Sequence, residues 1–411
     1  MCDINASPSR RKAREAVDPI TGECLGGGAD RLASRLALVA KGNKAVRRSL
    51  VRSYRLDVQR KARRALHRSL TPKGNKWRTV ECLRGVLPDS ATVAVCRSKE
   101  TGAAAFRNLV TCGNLWTCPV CASKIATGRR DEVRHAIQSH LDAGGVVLSV
   151  TLTLKHGASH SARQLLDGLT PALNRMRQNR RVKAMREAAG YVGGIKALEV
   201  TYGVANGWHP HVHELWFLDA GAVQLPRWHE EVGLAWIAAV RSSGLPAPSM
   251  AHGCLVKVVT EAREYEGKGV GQIDGIDGTW DAADEITRSV AKGGRYDRFS
   301  PFDLLVEGRP DLFEEYATAF HGKRQLTWSR GLKAHFKVDD RSDEELASDE
   351  SENGESVLMI PRADWKRLVW HEVDLRVSVL EMIEGPGGAL AARAFLDRLG
   401  IGSYLPEAPP D

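Results

Sequence analysis

Three histidines stand at alternate positions in the stretch NGWHPHVHELWFL near the middle of the chain. Successive side chains of a β-strand point to opposite faces, so His209, His211 and His213 would project from one face. Leu215 and Phe217 continue that face, and the apolar run is typical of a core strand. Imidazoles held in register on a rigid strand commonly bind a divalent metal ion. The pattern therefore predicts a metal site at one end of a central strand.

A carboxylate on a neighbouring strand could complete this site. The segment YVGGIKALEVTYG, residues 191–203, has strand composition, and a short VANG turn joins it to the histidine strand. In the resulting hairpin Glu199 lies about opposite the histidines. A glutamate with two histidines suits Mg²⁺ or Mn²⁺ with positions left open for substrate oxygens, and it also suits Zn²⁺. The sequence leaves the identity of this ion open.

Cysteines provide a second candidate metal site. Five of the eight cluster in one stretch, and three form the pattern C-x5-C-x2-C, namely Cys112, Cys118 and Cys121. The C-x2-C spacing is typical of zinc sites, with Pro119 favouring the turn around the metal. A tetrahedral site needs a fourth ligand, which Cys82 or Cys96 could supply. Four thiolates would close the site, so a zinc ion there would be structural.

The elements that must position these residues alternate along the chain. Strands are predicted over residues 146–154, 191–203, the histidine strand and 254–259, and helices over 127–143, 162–189 and 227–242. The predicted strands fall mainly in hairpins. We therefore predict an α+β fold, with a mostly antiparallel central sheet and flanking helices.

Charge is distributed unevenly along the chain. Residues 1–130 carry 27 Lys and Arg against 9 Asp and Glu, although the net charge of the whole chain is only +9. Such a concentration indicates a polyanionic partner such as nucleic acid, while a solvated surface is the alternative. No run of 18 apolar residues occurs, and the N-terminus lacks the apolar core of a secretory signal. We expect a cytoplasmic protein that has no membrane partner and no disulfide framework.

Three ordered motifs resemble those of the rolling-circle replication initiators (Rep proteins) of bacterial plasmids, which belong to the His-hydrophobic-His (HUH) endonucleases. The motifs are LTL at 152–154, EVTYGVANGWHPHVHELWF, and REYEGKG at 263–269. The blocks EITRSVAKGGRYDRFSPFDLL and GKRQLTWSRGL are also similar, and the resemblance covers about residues 80–335. It implies the HUH nuclease fold. It also implies nicking of one origin strand by a tyrosine, which leaves a 5′-phosphotyrosine link and a free 3′-OH primer before strands are rejoined.

The resemblance assigns roles to the residues of both candidate metal sites. In the HUH motif an apolar residue separates the two ligands, so His211 and His213 become the metal pair around Val212, with Glu199 as third ligand. His209 becomes their neighbour or a phosphate contact. Because the family has a cysteine at the head of this region, Cys82 is preferred to Cys96 as the fourth zinc ligand.

The same resemblance assigns Tyr265 as the nucleophile. Lys268 follows one helical turn later, where it would lower the pKa of the tyrosine or bind the phosphate. Glu261, one turn before Tyr265, would activate water for a second, terminating cleavage. Tyr296 is the alternative nucleophile and Glu264 the alternative carboxylate.

The chain divides into five predicted regions. They are a basic, partly disordered N-terminal arm (1–75), a zinc-binding cysteine region (76–126), an HUH endonuclease domain (127–338), an acidic linker (339–356) and a small helical C-terminal region (357–411). The expected partners are plasmid origin DNA, as a double-stranded origin and a single-stranded nick site, and the host helicase and polymerase. Either the arm or the C-terminal region could recognise the origin.

Two other functions fit part of this pattern. A relaxase or transposase uses the same HUH chemistry, but relaxases usually carry the tyrosine ahead of the histidines, and here Tyr265 follows His213 by 52 residues. A zinc-containing DNA-binding regulator without enzymatic activity would explain the charge and the cysteines. It would leave the histidine strand unexplained.

Overall fold

The computed structural model describes residues 44–219, 223–260, 298–348, 354–370 and 374–406. Nine strands lie in these ranges: β1 Thr92–Ser98, β2 Ala104–Arg107, β3 Val146–Thr153, β4 Tyr191–Gly203, β5 Gly207–Leu218, β6 Cys254–Val259, β7 Arg298–Phe299, β8 Leu326–Trp328 and β9 Gly354–Pro361. The helices before β7 are α1 Lys44–Leu66, α2 Pro119–Asp142, α3 Ala162–Arg177, α4 Arg180–Ala188, α5 Leu225–Arg241 and α6 Met250–Gly253. Those after β7 are α7 Pro301–Val306, α8 Pro310–Phe320, α9 Leu332–His335, α10 Asp343–Ser348, α11 Arg362–Val369, α12 Leu375–Glu384 and α13 Gly388–Arg398.

The larger of two sheets has six strands in the order β6-β3-β5-β4-β7, with β8 also paired to β4. Every pairing in it is antiparallel, and β5, the histidine strand, lies at its centre. The prediction of an α+β fold with an antiparallel central sheet and flanking helices is confirmed.

Both faces of this sheet are covered, as the alternation of side chains on β5 requires. Val212 and Trp216 point into the larger core, which α3 and α5 help to form. Leu215 and Phe217 point to the opposite face and pack against α2 residues such as Ile137. Toward the β4–β5 turn, this second face changes from apolar side chains to the histidines. The sheet therefore holds the histidines on a rigid, two-sided scaffold.

The smaller sheet has the order β2-β1-β9 and joins distant parts of the chain. Strand β9 runs antiparallel to β1, with Val95 opposite Leu358. A separate core fills the space between this sheet and α11–α13, and it includes the fully buried Trp365 and Val379. Residues that flank the cysteine pattern and residues near the C-terminus thus form one α/β unit.

The described residues 339–348 and 354–356 differ from the predicted solvated linker. Helix α10 forms inside this acidic run, where Leu346 is 4% exposed. The helix begins with reciprocal hydrogen bonds between Ser342 and Glu345, which satisfy its first N–H groups. Asp343 accepts hydrogen bonds from Arg129 of α2 at 2.8 and 3.2 Å. An ion pair between residues that are far apart in sequence therefore holds α10 against α2.

The C-terminal region also differs from a purely helical piece, because it begins with strand β9. Leu358 and Ile360 are fully buried, two residues apart, as a strand with one face on a core requires. The acidic residues that precede β9 give this part of the chain the composition of a linker. The short alternation of buried residues in β9 was therefore not predicted from the sequence.

Helix α1 lies between the central domain and the smaller α/β unit. Val58 and Ala62 are fully buried in the larger core, where the helix packs against α7 and α8. On its other side Arg52 donates hydrogen bonds to Glu384 of α12 at 2.7 Å and to the Ala104 carbonyl at 3.1 Å. The described part of the basic arm is therefore a helix packed between two cores.

Candidate metal centres

The β4–β5 hairpin brings the predicted carboxylate and imidazoles to one face of the central sheet. Its register places Glu199 directly opposite His211. Strand β3, on the other side of β5, places Thr151 opposite His213. Three adjacent strands therefore contribute side chains to the same patch, and the ladder hydrogen bonds between them fix their spacing.

Glu199, His211 and His213 form one compact group, the carboxylate–imidazole site. Oε2 of Glu199 lies 3.1 Å from Nε2 of His211 and 2.9 Å from Nε2 of His213. Glu199 and His213 are 6% and 5% exposed, whereas the His211 side chain is 13% exposed. The structure thus brings all three predicted ligands together, with the His211 side more accessible than the rest.

The far nitrogen of each ring is held by a hydrogen-bonding oxygen. Nδ1 of His211 lies 3.3 Å from the His209 carbonyl oxygen, and Nδ1 of His213 lies 3.1 Å from Oγ1 of Thr151. A carbonyl only accepts, so Nδ1 of His211 donates, and its Nε2 carries a lone pair when the ring is neutral. That lone pair faces a carboxylate oxygen, and the two repel unless a proton or a cation lies between them. This donor set fits a divalent cation.

His209 lies beside this group and contacts a different imidazole. Its Nδ1 is 2.5 Å from Nε2 of His156, and Nδ1 of His156 is 2.9 Å from the Asn206 carbonyl oxygen. Burial, followed by the charges of His211, His156 and Arg298, lowers the pKa of His209 to about 3. Burial also lowers the pKa of His156. Both rings are therefore neutral near pH 7, and His156 fixes the orientation of His209.

The sequence analysis did not identify His156 and Thr151 as residues of this site, although the strand pattern could have placed both there. Thr151 alternates with Thr153 along β3, which puts the two threonines on one face. Because β3 is antiparallel to β5, the chain that leaves the end of β3 lies beside the beginning of β5. His156 stands three residues after β3, so pairing the two strands would have placed it near His209.

A second buried group, the cysteine site, consists of Cys82, Cys112, Cys118 and Cys121. The Sγ of Cys82 lies 3.6 Å from those of Cys118 and Cys121, and the Sγ of Cys112 lies 3.6 Å from that of Cys121. Each of the four residues is at most 2% exposed. Cys96, the other candidate for the fourth position, is on β1, with its Sγ 3.5 Å from Oγ of Ser356. The structure therefore groups Cys82, not Cys96, with the other three.

Helix α2 begins inside the cysteine site. Cys118 is its N-cap residue and Cys121 lies in its first turn, while Gln59 of α1 donates a hydrogen bond to the Cys118 sulfur at 3.5 Å. Burial raises the pKa of the Cys118 thiol, whereas hydrogen bonds from Cys112 and the other thiols lower the pKa of Cys121. Burial of these four sulfurs opposes the presence of several negative charges together. Full ionisation requires a cation at their centre.

The predicted nucleophile and its helpers, Tyr265, Lys268 and Glu261, lie outside the described residues. So do the alternatives Tyr296 and Glu264.

The remaining tyrosines include several whose surroundings oppose nucleophilic chemistry. Burial raises the pKa of Tyr54, Tyr191 and Tyr316, and Tyr316 is fully buried. A raised pKa makes the phenolate even rarer near pH 7 than in an ordinary tyrosine, so these three side chains are poorly suited to attack a phosphate.

A sequence profile of replication proteins matches residues 105–367, which is more than half of the chain. The chain belongs to the replication protein family. The matched stretch contains the whole carboxylate–imidazole site and three of the four residues of the cysteine site. Cys82 lies before it.

Two relatives in this comparison come from Streptomyces. A protein named "Protein rep" from Streptomyces lividans is 27% identical over 316 residues, which cover 61% of this chain and 69% of that protein. A "Neomycin resistance protein" from Streptomyces cyanogenus is 32% identical over 138 residues. That match covers 28% of this chain and only 32% of the relative. No solved structure matches this replication protein.

Among the described residues of this replication protein, no helix has both the length and the apolar character needed to cross a membrane.

Proposed function

We propose that this replication protein initiates rolling-circle replication of a plasmid by nicking one strand at the origin. The observation that carries the proposal is the convergence of the His211 and His213 Nε2 atoms on one carboxylate oxygen of Glu199. A DNA-binding regulator without enzymatic activity would not require such a group. Membership of the replication protein family supports a role in replication independently of this geometry.

The donor set of the carboxylate–imidazole site supports Mg²⁺ or Mn²⁺, because one carboxylate and two imidazoles leave positions open for substrate oxygens. The N···O distances of 2.9 and 3.1 Å bring the three side chains within reach of one ion. When bound, a divalent cation would polarise the scissile phosphate and stabilise negative charge as the phosphodiester bond breaks.

Tyr265 is the proposed nucleophile. Its phenolic oxygen forms a bond to the scissile phosphorus, the bond from phosphorus to the 3′ oxygen breaks, and the phenolic proton is lost as the 3′-OH gains one. The products are a 5′-phosphotyrosine link and a primer for the host polymerase, with the host helicase opening the duplex. Lys268 is proposed to favour the phenolate or to bind the phosphate, and Glu261 to activate water for the terminating cleavage. The raised pKa values of Tyr54, Tyr191 and Tyr316 support the choice of a tyrosine elsewhere.

The cysteine site is proposed to hold a structural Zn²⁺. In a tetrahedral site with Zn–S bonds of about 2.3 Å, the sulfur atoms are about 3.8 Å apart. The Sγ···Sγ distances of 3.6 Å are close to that value. All four ligand positions would be protein sulfurs, so the ion would brace α1 and the start of α2 and would not bind substrate.

The decisive test uses supercoiled DNA that carries the cognate origin. With Mn²⁺ present, the wild-type protein is expected to convert this DNA to open circles and to remain attached to it on a denaturing gel. Tyr265→Phe removes the attacking oxygen, so the adduct should disappear; Tyr296→Phe is the matched control and should retain it. An adduct that forms normally with Tyr265→Phe would refute the assignment of the nucleophile.

A further inference from the structure

An arginine and a tryptophan stack on the surface of the smaller α/β unit. Cζ of Arg84 lies 3.6 Å from the centre of the Trp370 ring. Trp370 directly follows α11 and is 71% exposed, the highest value among the large apolar side chains that the structure describes. The guanidinium covers one face of the indole. The other face is available to a flat ligand.

Positive side chains lie around this pair. Lys366 and Arg367 occupy the last turn of α11, and both are exposed. Arg63 of α1 lies near Arg84, and its Nε and Nη2 are buried without a hydrogen-bond partner among the described residues. Burial, together with the charges of Arg84 and Arg376, lowers the pKa of Arg63 to about 10. An anion bound nearby would relieve this accumulation of positive charge.

Asp364 of α11 pairs with Arg367 at 3.5 Å, while the other carboxylates of this neighbourhood are engaged with other bases. Asp57 pairs with bases of its own helix, and Asp374 contacts Arg376 at 2.5 Å. Glu81 favours the charged form of Arg84, whereas burial and Arg376 oppose it. Nε of Arg84 is buried without a hydrogen-bond partner within the described ranges. Arg63 and Arg84 thus contribute positive charge that no directly bonded carboxylate neutralises in the described structure.

We propose that this surface, the Trp370 platform, binds single-stranded DNA. One base stacks on the free face of Trp370, and the flanking phosphates contact Arg84, Lys366 and Arg367. Every base has a π face, so such stacking tolerates any sequence, and a cation on the opposite ring face holds the indole in place. The choice of DNA as the partner rests on the proposed function.

The platform also brings together two regions that the sequence offered as alternatives for DNA recognition. Arg63 comes from the basic arm, while Trp370 comes from the C-terminal region. Arg63 acts on Arg84 through its charge, and Arg84 stacks on Trp370. The ion pair of Arg52 with Glu384 also ties α1 to α12, so the arm adds positive charge close to the C-terminal region.

The test measures the affinity of the full-length protein for a fluorescein-labelled dT12 oligonucleotide by fluorescence anisotropy, without added Mg²⁺ or Mn²⁺. Trp370→Ala is expected to weaken binding at least about tenfold, and Trp370→Phe much less, because phenylalanine still stacks. Lys366→Ala should flatten the plot of log affinity against log salt by about 0.7, the value for one phosphate contact on a single strand. Leu390→Ala is the control; it alters an exposed residue of α13 in the same unit and should bind like wild type.

Equal affinities of Trp370→Ala and wild type for dT12 would overturn the proposal. So would equal weakening toward a 12-base-pair duplex, because a paired base cannot stack on the indole. Nicking of supercoiled origin DNA, measured on the same samples, separates this proposal from the proposed function. If wild type fails to nick while Trp370→Ala still weakens dT12 binding, the platform stands and the nuclease assignment falls.

Discussion

The two candidate metal sites of this replication protein are built in opposite ways. In the cysteine site, two loop segments and the start of a helix provide four sulfur atoms, and each residue is at most 2% exposed. In the carboxylate–imidazole site, two adjacent strands provide three candidate ligands, and the His211 side chain is 13% exposed. The first donor set would be complete for a tetrahedral ion. The second would leave positions open on a divalent cation for substrate.

This difference suits the closed cysteine site to a stabilising role and the open carboxylate–imidazole site to a catalytic role. A closed site joins segments that are distant in sequence, here the residues around Cys82 and Cys112 and the start of α2. An open site cannot perform that task, because its ligands must already be in place when substrate arrives. The β4–β5 hairpin and its neighbour β3 meet that need with ladder hydrogen bonds and two packed faces. We therefore expect damage to the cysteine site to unfold the protein, and damage to the other site to abolish activity in a folded protein.

Removal of both imidazoles should produce the largest effect. His211→Ala/His213→Ala deletes two of the three proposed ligands, and loss of a metal's charge stabilisation amounts to several kcal/mol, so nicking should fall at least about 10³-fold. Circular dichroism and thermal unfolding should remain close to wild type, because the sheet keeps its core. The measurement is conversion of supercoiled origin DNA in Mn²⁺. A double variant that still nicks would eliminate this site as the catalytic centre.

Loss of one sulfur ligand should act on stability first. Cys118→Ser removes one of the four proposed zinc ligands, and loss of that ion would cost several kcal/mol, so the unfolding midpoint should fall by about 10 °C or more. Cys96→Ser offers a matched control, since Cys96 is also buried but contacts Ser356. It should change stability by about 1 kcal/mol. Similar midpoints for the two variants, with no zinc detected in wild type, would contradict a structural zinc.

A milder change tests whether the open site depends on its supporting residues. Thr151→Val keeps the side-chain shape but removes the oxygen next to Nδ1 of His213. We expect Mn²⁺ affinity, measured by calorimetry, to fall by about 10- to 100-fold without a change in fold. Thr153→Val is the control, because the Thr153 hydroxyl bonds to the His252 carbonyl. Equal affinities in both variants would show that Thr151 does not orient the ring.

The smallest effect concerns pH. The pKa of His209 falls from an ordinary 6.5 to about 3, so between these values the unfolded state binds a proton that the folded state rejects. Unfolding free energy should therefore decrease as pH falls below about 6.5, by about 2 kcal/mol from this group between pH 7 and pH 5. In the His209→Gln variant, the unfolding free energy measured in urea should no longer contain this pH-dependent contribution. An unchanged dependence would mean that folding does not lower the pKa of His209.

Much of the fold was predictable because the decisive patterns are local. The alternation of side chains in β5, the hairpin turn and the boundaries of β4 and β6 agree with the structure. Helix boundaries were less accurate; α2 begins at Pro119, and the predicted helix 162–189 is two helices separated near Asn179, whose side chain caps the second. Capping depends on a few contacts that periodicity does not capture.

The sequence by itself determined which residues share a face. Period-two spacing puts His211 and His213 on one side of a strand, and C-x2-C spacing puts two sulfurs within reach of one ion. Only the tertiary structure decided the long-range partners. It grouped Cys82 rather than Cys96 with the other thiols, placed His156 against His209, and joined β9 to β1 across an acidic run. Spacing along the chain determines the direction of side chains within one element. Contacts between distant segments depend instead on how the hydrophobic cores of the whole protein pack.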